Sequence, residues 1–509
     1  MNTDAATVAE DLPQWVGHPR GLRTLFFTEM WERFSYYGMR ALLVLFMVEQ
    51  IGAGGLGLTD RTATAIYGLY TAAVYLVCLP GGWIADRLWG AQRAVLVGGI
   101  LIMCGHFVLA IPGVASFFGG LLLVIAGTGL LKPNISAIVG ELYAAGDARR
   151  DSGFTIFYIG INLGGFLGPL VCGWLAAGNW RLSIGGLQAE ANWHIGFAAA
   201  GVGMLLGLIQ YRLSRADLGA AGRHPEVAAP AATRARARLV GAVVLVLVAA
   251  LFVTGLSGAI AIDATQLAQR TTVAILVATL AYFAYVFLTG HLTRVERNRV
   301  IVIIVLVFAC AMFWAGFEQA GSSLNLFAER YTLREFGGFE IPASWFQSLN
   351  PGFIILLAPF YSVLWIALAR RHLEPSTPAK FALGLIILGL GFAVMIGAAV
   401  LVSSGRQVFP TWLVMTYLLH TMGELALSPV GLSAMTKLAP RRFTGQMMGM
   451  WFMGTALGNV IAGLLAGQFD ADAVGDMPGL YWQIVLTTVG SGLVLLLFVK
   501  PLKRLAGGA

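Results

Sequence analysis

Charge is scarce in this sequence: only 11% of its 509 residues are Asp, Glu, Lys or Arg. Soluble globular domains carry roughly 25%, because their surface faces water. A chain that is 58% hydrophobic, with mean hydropathy +0.78, has too little charge to cover itself and is expected to be solvated by lipid. Cysteine is scarcer still. Cys78, Cys104, Cys172 and Cys310 lie inside apolar runs at unrelated spacings, with no C-x-x-C pair and no ligand set beside them. They read as small core or lipid-facing residues, and Cys104 near His106 reads as packing. No P-loop, nucleophile elbow, metal box or H-x-x-E fragment occurs, which argues against ATP as an energy source and against a membrane enzyme. Nor is a cleavable signal peptide expected. Residues 1–20 are polar, and the first apolar run is too long for an h-region.

What the sequence does have is long apolar runs, continuous rather than alternating, which favours spanning helices over a barrel. They fall at about 22–50, 62–86, 94–112, 117–141, 152–177, 193–211, 239–257, 271–291, 298–328, 346–369, 380–402, 410–436, 443–468 and 480–499, fourteen in all. Of 33 Lys and Arg residues, 24 fall in the termini and one set of alternate loops. The opposite loops hold six: Arg61, Arg181, Arg270, Arg330, Arg334 and Arg406. By the positive-inside rule both termini are expected in the cytoplasm of a cell-membrane protein. The net charge of +8 is then a topology signal, and no nucleic-acid partner is expected.

The runs group as six, a polar segment near 212–238, two extra spans, and six more. The expected architecture is an all-α membrane protein of two six-helix bundles, 20–211 and 298–503. Residues 212–297 form a cytoplasmic linker and an accessory two-helix hairpin. Ala216–Ala237, rich in Ala, Arg and Pro, reads as a linker or surface helix, and the two extra spans read as lipid-facing. Two six-helix halves around a midplane site is the layout of a major facilitator transporter. G-G-x-x-A-D-R at Gly81–Arg87 resembles that superfamily's loop signature, in which Asp86 and Arg87 would latch helices together.

Charges inside the spans are the informative exceptions, since each costs about 2.5–3.5 kcal/mol at bilayer depth on insertion scales. The first span carries Glu29, Glu32, Arg33 and Arg40, with Glu49 nearer its end. At about 100° per residue, Glu29, Glu32, Arg33, Tyr36 and Arg40 share one face and Tyr37 borders it. A purely structural ion-pair network does not account for Arg40, nor for Lys132, Glu318 and Glu424, each isolated in mid-span. The first half supplies the cations Arg40 and Lys132, the second the anions Glu318 and Glu424. Such complementary ends suit a zwitterion. Pro133, Pro351 and Pro429, close to these charges, would open the backbone ladder and permit bending.

Two motifs identify a family. Glu29-Met-Trp-Glu32-Arg33-Phe-Ser-Tyr36-Tyr37-Gly38 resembles the E-x-x-E-R-F-x-Y-Y-G of proton-dependent oligopeptide transporters, the POT family of the major facilitator superfamily. Phe157-Tyr158-Ile-Gly-Ile-Asn162-Leu-Gly164 resembles its F-Y-x-x-I-N-x-G. Phe346–Pro351 and Gly423–Pro429 resemble its second-half motifs, and the short loop around Arg406 looks prokaryotic.

The resemblance implies proton-coupled symport of di- and tripeptides by alternating access, with no cofactor beyond the proton, in a chain that works as a monomer. It implies that Arg40, Lys132 and Asn162 hold the peptide carboxylate, and that Glu424 and Asn350 hold its amino terminus. Tyr36, Tyr37 and Tyr75 would bond the peptide backbone, and Trp451 would wall a side-chain pocket. Glu29, Glu32, Arg33 and Glu318 would carry proton coupling. Phe317 stands where some relatives have a second acid beside Glu318. Uptake of nitrate or another small anion by the same fold is the alternative, and a channel is a further rival.

Overall fold

The computed structural model describes residues 14–144, 146–178, 192–225, 227–469 and 474–507. Arg181 lies outside them, as does Glu226 in the linker. Sixteen α-helices are described. The first six are α1 Gly21–Val48, α2 Asp60–Ile84, α3 Ala91–Leu109, α4 Val114–Glu141, α5 Arg150–Ala177 and α6 Trp193–Ser214. The extra pair is α7 Ala231–Leu256 and α8 Ala264–Thr289. There follow α9 Arg294–Phe317, α10 Ser323–Tyr331, α11 Leu349–Arg370, α12 Thr377–Ser403, α13 Thr411–Leu438, α14 Thr444–Ala466, α15 Met477–Leu497 and α16 Val499–Leu505. Two short hairpins complete the list, β1 Gln14–Trp15 with β2 His18–Pro19, and β3 Glu335–Phe336 with β4 Phe339–Glu340.

Among the described residues, 12 helical stretches are long and apolar enough to cross a membrane. Two more, α1 and α13, have 28 residues each, about 42 Å at 1.5 Å per residue. With these the architecture is the fourteen-span, all-α one expected from the sequence.

Three local expectations need correction. Residues 231–237 do not form a separate surface helix: they are the first turns of α7, whose hydrogen-bond ladder simply continues into the apolar run. Pro351 does not interrupt the interior of a regular helix: it sits in the first turn of α11, just after the 3-10 turn Ala343–Ser348 that leads into it. The run at 298–328 is not one helix. It breaks into α9, a 3-10 turn Glu318–Gly321, and α10. A Cβ at Gly321 would fall 1.9 Å from the Tyr67 hydroxyl, so the broken segment is also the one that admits the Tyr67 side chain.

The chain divides into two compact units. The first comprises residues 1–39, 77–176 and 192–264, the second 40–76, 177–191 and 265–509. In the first, Leu22, Val95, Ile102, Leu131, Ile138, Met204, Leu208 and Tyr211 form a continuous apolar core. Close helix approach depends on missing side chains. A Cβ at Gly164 would lie 2.1 Å from the Met30 carbonyl oxygen, and one at Gly168 would lie 2.4 Å from that of Phe34. Only glycine lets α5 lie backbone-to-backbone on α1, and this contact fixes the rotation of α1 about its axis. In the second unit, Phe313, Phe327, Phe381, Phe392, Tyr417 and Tyr481 are fully buried, with Phe392 stacked on Tyr481 at 6.0 Å.

Residues 215–230 form a strap on the first unit. Gln92 is its anchor: Nε2 donates to Ala221 O at 2.7 Å, and Oε1 accepts from Arg215 Nε at 3.0 Å. The Gly222 amide donates to Glu141 at 2.7 Å, and Arg23 pairs with Asp217 at 3.1 Å. Val227 and Ala229 donate to the carbonyls of Asp86 and Arg87, at 3.3 and 3.0 Å. Those carbonyls belong to a π-helical turn, Ala85–Trp89, that ends α2 and would otherwise leave them without partners. The signature residues Asp86 and Arg87 thus engage the strap through their backbone, while both side chains are exposed.

Candidate functional site

In the first unit, the polar face of α1 closes on itself. Arg33 Nε donates to Glu29 Oε1 at 2.7 Å and lies 3.0 Å from Glu32 Oε2. The three residues are 2%, 0% and 4% exposed in the order Glu29, Glu32, Arg33. Two carboxylates against one guanidinium leave the cluster one negative charge in excess when both acids are ionised. Glu32 accepts no hydrogen bond from a described residue on either oxygen, and Glu29 Oε2 accepts none. A buried carboxylate so poorly satisfied is costly, and a proton or a nearby cation relieves it. Lys132, on α4, lies within electrostatic reach of both Glu32 and Arg33 and stays half-buried.

The Tyr36 and Tyr37 rings meet edge to face at 5.5 Å, with the Arg33 guanidinium 5.9 Å from the Tyr36 ring. Asn162, buried on α5, donates back to Tyr158 O at 2.9 Å. The sequence motif E-x-x-E-R therefore has a local reason. Its i,i+4 spacing puts Glu29 within reach of Arg33, whose own Cβ lies against α5 where a Cβ at Gly164 would come within 2.9 Å of it.

In the second unit, Arg40 Nη2 donates to Glu318 Oε2 at 2.7 Å, with the two side chains only 8% and 3% exposed. Tyr67 donates its hydroxyl to the same oxygen at 3.3 Å, and its ring lies 5.7 Å from the Arg40 guanidinium. The helix break puts Glu318 on a 3-10 turn rather than within a regular α-helix. Close by in sequence, Asn325 Nδ2 donates to Ala41 O at 2.9 Å. Arg330 makes a two-pronged pair with Asp60, at 2.6 and 2.8 Å.

A second polar group of this unit joins α11 to α13. Asn350 Nδ2 donates to Glu424 Oε2 at 2.9 Å and to Thr421 Oγ1 at 3.1 Å, leaving Glu424 half-buried. Tyr75 is half-buried and stacks on Phe452 at 6.4 Å. Trp451 is buried edge-on to Phe381 at 6.0 Å, and a Cβ at Gly431 would be 2.0 Å from its ring.

The sequence-predicted residues thus fall into two groups: Glu29, Glu32, Arg33, Tyr36, Tyr37, Lys132 and Asn162 in the first unit, and in the second Arg40 with Glu318, within electrostatic reach of Glu424 and its partner Asn350. Tyr75 and Trp451 also belong to the second unit. Sequence reasoning missed Tyr67, although it lies eight residues before Tyr75, about 80° away on α2. It also missed Thr421, one helical turn before Glu424. Among the described residues, no group of three or more His, Cys, Asp or Glu could hold a metal ion.

The POT family model matches residues 92–480. The peptide transporter YePEPT of Yersinia enterocolitica subsp. palearctica is 44% identical over 501 residues, covering 96% of this chain and 95% of that protein. A di-/tripeptide transporter of Lactococcus lactis subsp. cremoris is 38% identical over 503 residues, covering 96% and 97%. Among solved structures, that of a peptide transporter POT in complex with sulfate superposes with TM-score 0.90 at 42% identity, covering 99% of each chain.

Proposed function

This chain belongs to the POT family, and from that premise we propose that it is a secondary transporter carrying di- and tripeptides into the cell with protons. The observation that carries the coupling is the buried Arg40–Glu318 pair. Arg40 has, as its ion partner, an acid that one proton neutralises. Protonation of Glu318 releases the guanidinium to a peptide carboxylate, and deprotonation takes it back. Because an unpaired buried charge costs several kcal/mol, proton and cargo are strongly linked at this point. Glu29, Glu32 and Arg33 form a second acid group whose excess negative charge makes it a proton site as well.

Lys132 and Asn162 assist Arg40 with the carboxylate. Glu424, aimed by Asn350, takes the ammonium, and Tyr36, Tyr37 and Tyr75 bond the peptide backbone. Trp451 bounds the side-chain space from a packed position. The bundles 20–211 and 298–503 rock against one another as alternating access requires, with 212–297 as an accessory piece. The protein acts as a monomer in the cell membrane with both termini cytoplasmic, as the distribution of its arginines supports.

The energetics suffice. A zwitterionic peptide is neutral, so each proton moves roughly one charge, worth about 2.3 kcal/mol per 100 mV. One pH unit adds about 1.4 kcal/mol, and together these sustain accumulation of several hundredfold per proton. Nitrate has no use for an anionic Glu424, and the two relatives above are named for peptides. Uptake into proteoliposomes under an imposed proton gradient, with dipeptides, tripeptides, free amino acids and nitrate offered in parallel, tests the reading. Accumulation of the peptides alone is expected. Nitrate uptake without peptide uptake, or uncoupled current without counterflow, would overturn it.

A further inference from the structure

Three tyrosines of the second unit form a descending series. Tyr331 is the last residue of α10, Tyr481 comes four residues after the start of α15, and Tyr417 comes six after the start of α13. At 1.5 Å per residue they lie about 0, 6 and 9 Å from those helix ends. The ends belong to the side that the arginine distribution makes external: α10 carries Arg330 there, and α13 follows the loop of Arg406.

Burial deepens along the series. Tyr331 is half-buried, whereas Tyr417 and Tyr481 are 2% and 0% exposed. Arg330, paired with Asp60, stands within electrostatic reach of Tyr331 at its head. Phe327 touches the rings of Tyr331 and Tyr481, at 5.7 and 6.3 Å, and Tyr481 lies within electrostatic reach of both Tyr331 and Tyr417. Tyr417 donates to the Ala320 carbonyl at 3.2 Å, in the 3-10 turn that carries Glu318, and lies within reach of Arg40. His420, on the next turn of α13, packs its ring against Gly391 and Phe392 of α12 and is not a link in the series.

The Tyr481 hydroxyl is the unexplained member. It is buried and has no hydrogen-bond partner among the described residues. Phenylalanine would fill the same space without stranding a hydroxyl, so packing alone does not account for the oxygen. A hydroxyl placed between two others, each able to accept and to donate, suits a chain completed by internal water.

We propose that Tyr331, Tyr481 and Tyr417, bridged by water, relay protons from the outer surface to Glu318. Each oxygen takes the incoming proton and gives up its own to the next, so one O–H bond forms as another breaks and every link ends neutral. The last transfer, from water to a carboxylate oxygen of Glu318, removes the negative charge that holds Arg40. The inference rests on the proposed coupling role of Glu318 and adds the route by which the proton arrives.

Initial rates of dipeptide uptake driven by a pH gradient, and of peptide counterflow, test it in proteoliposomes. In Tyr481→Phe the ratio of driven to counterflow rate should fall about tenfold, the worth of one hydrogen bond in the path. Tyr417→Phe should lower the ratio likewise. The double variant should lower it no further than the larger single loss, because the links act in series, whereas independent packing defects multiply. An unchanged ratio in Tyr481→Phe overturns the relay, as do losses that multiply in the double variant. If the Tyr417 variant does not fold, Tyr481→Phe decides alone. A wild-type protein that gains nothing from the gradient overturns the coupling itself, and the relay with it.

Discussion

Replacing Glu318 by Gln turns one carboxylate oxygen into an amide and removes the negative charge that faces Arg40. Both partners are more than nine-tenths buried and 2.7 Å apart, so water screens neither of them. Breaking a buried pair of this kind costs about 3–5 kcal/mol, because the surviving charge is left without compensation. At about 1.4 kcal/mol per tenfold, the arrangement containing the pair should lose roughly 100-fold or more in population. Gln can still accept hydrogen bonds from Arg40 and Tyr67, which places the expected loss near the lower end. Chemically, the substitution imitates a Glu318 that never releases its proton. Peptide counterflow, which needs exchange but no net proton movement, should persist in proteoliposomes. Accumulation driven by a pH gradient should vanish. A Glu318→Gln protein that still concentrates peptide in response to an imposed pH gradient, to the wild-type extent, would refute the coupling role of this acid and move it to Glu29 and Glu32.

Glu424→Gln should weaken transport of free-amino dipeptides about 10- to 100-fold, the worth of about 1.5–3 kcal/mol for a bond to a charged group, while sparing N-acetylated ones. Competition uptake with the two peptide sets distinguishes this from an equal loss, which would argue against an ammonium site. Gly164→Val should lower the melting temperature by several degrees or abolish folding, since its Cβ would meet a backbone oxygen at 2.1 Å and overpacking costs about 1–3 kcal/mol or more. An unchanged melting curve would contradict the α1–α5 contact. Asp60→Asn should cost about 1 kcal/mol of stability, given that its pair with Arg330 is partly exposed; a chemical denaturation series with Arg330→Gln as the partner of a double-mutant cycle measures it. Hydrogen bonds from the Arg149 side chain and backbone hold the Asp147 carboxyl below the usual carboxylate range. The pair therefore contributes stability above that range and loses it as pH falls through the lowered value. The difference in melting temperature between wild type and Asp147→Asn should shrink on acidification, and a difference independent of pH would contradict this.

The bilayer makes some features easy to read from sequence and hides others. Glu29, Glu32, Arg33, Arg40, Glu318 and Glu424 stand out because lipid penalises charge, so their presence in apolar runs already demands partners. Which cation meets which anion is not legible, since Arg40 and Lys132 each complement Glu318 and Glu424 equally; the structure pairs Arg40 with Glu318, 278 residues apart. Tyr67 does not stand out, since aromatic residues are ordinary in such helices and only the fold tells a hydrogen-bonding tyrosine from a packing one. The break at Glu318 is hidden for a similar reason: Gln319 to Ser323 are compatible with either an α-helix or a 3-10 turn, and the choice depends on tertiary contact with α2. The strap is the least legible part. Most of its hydrogen bonds run to or from the backbone, so its composition of Ala, Gly and Arg carries no pattern to find. Gln92, its anchor, is one unremarked polar residue at the start of a span.

The glycine contact between α1 and α5 has a use in following the transport cycle. Side chains are excluded where Gly164 and Gly168 meet Met30 and Phe34, so neither helix can slide or turn on the other without a collision. Spin labels placed on the lipid-facing sides of α1 and α5 would therefore report a constant separation whatever cargo, proton or membrane voltage is applied. That makes the pair an internal ruler against which displacement of every other helix can be measured.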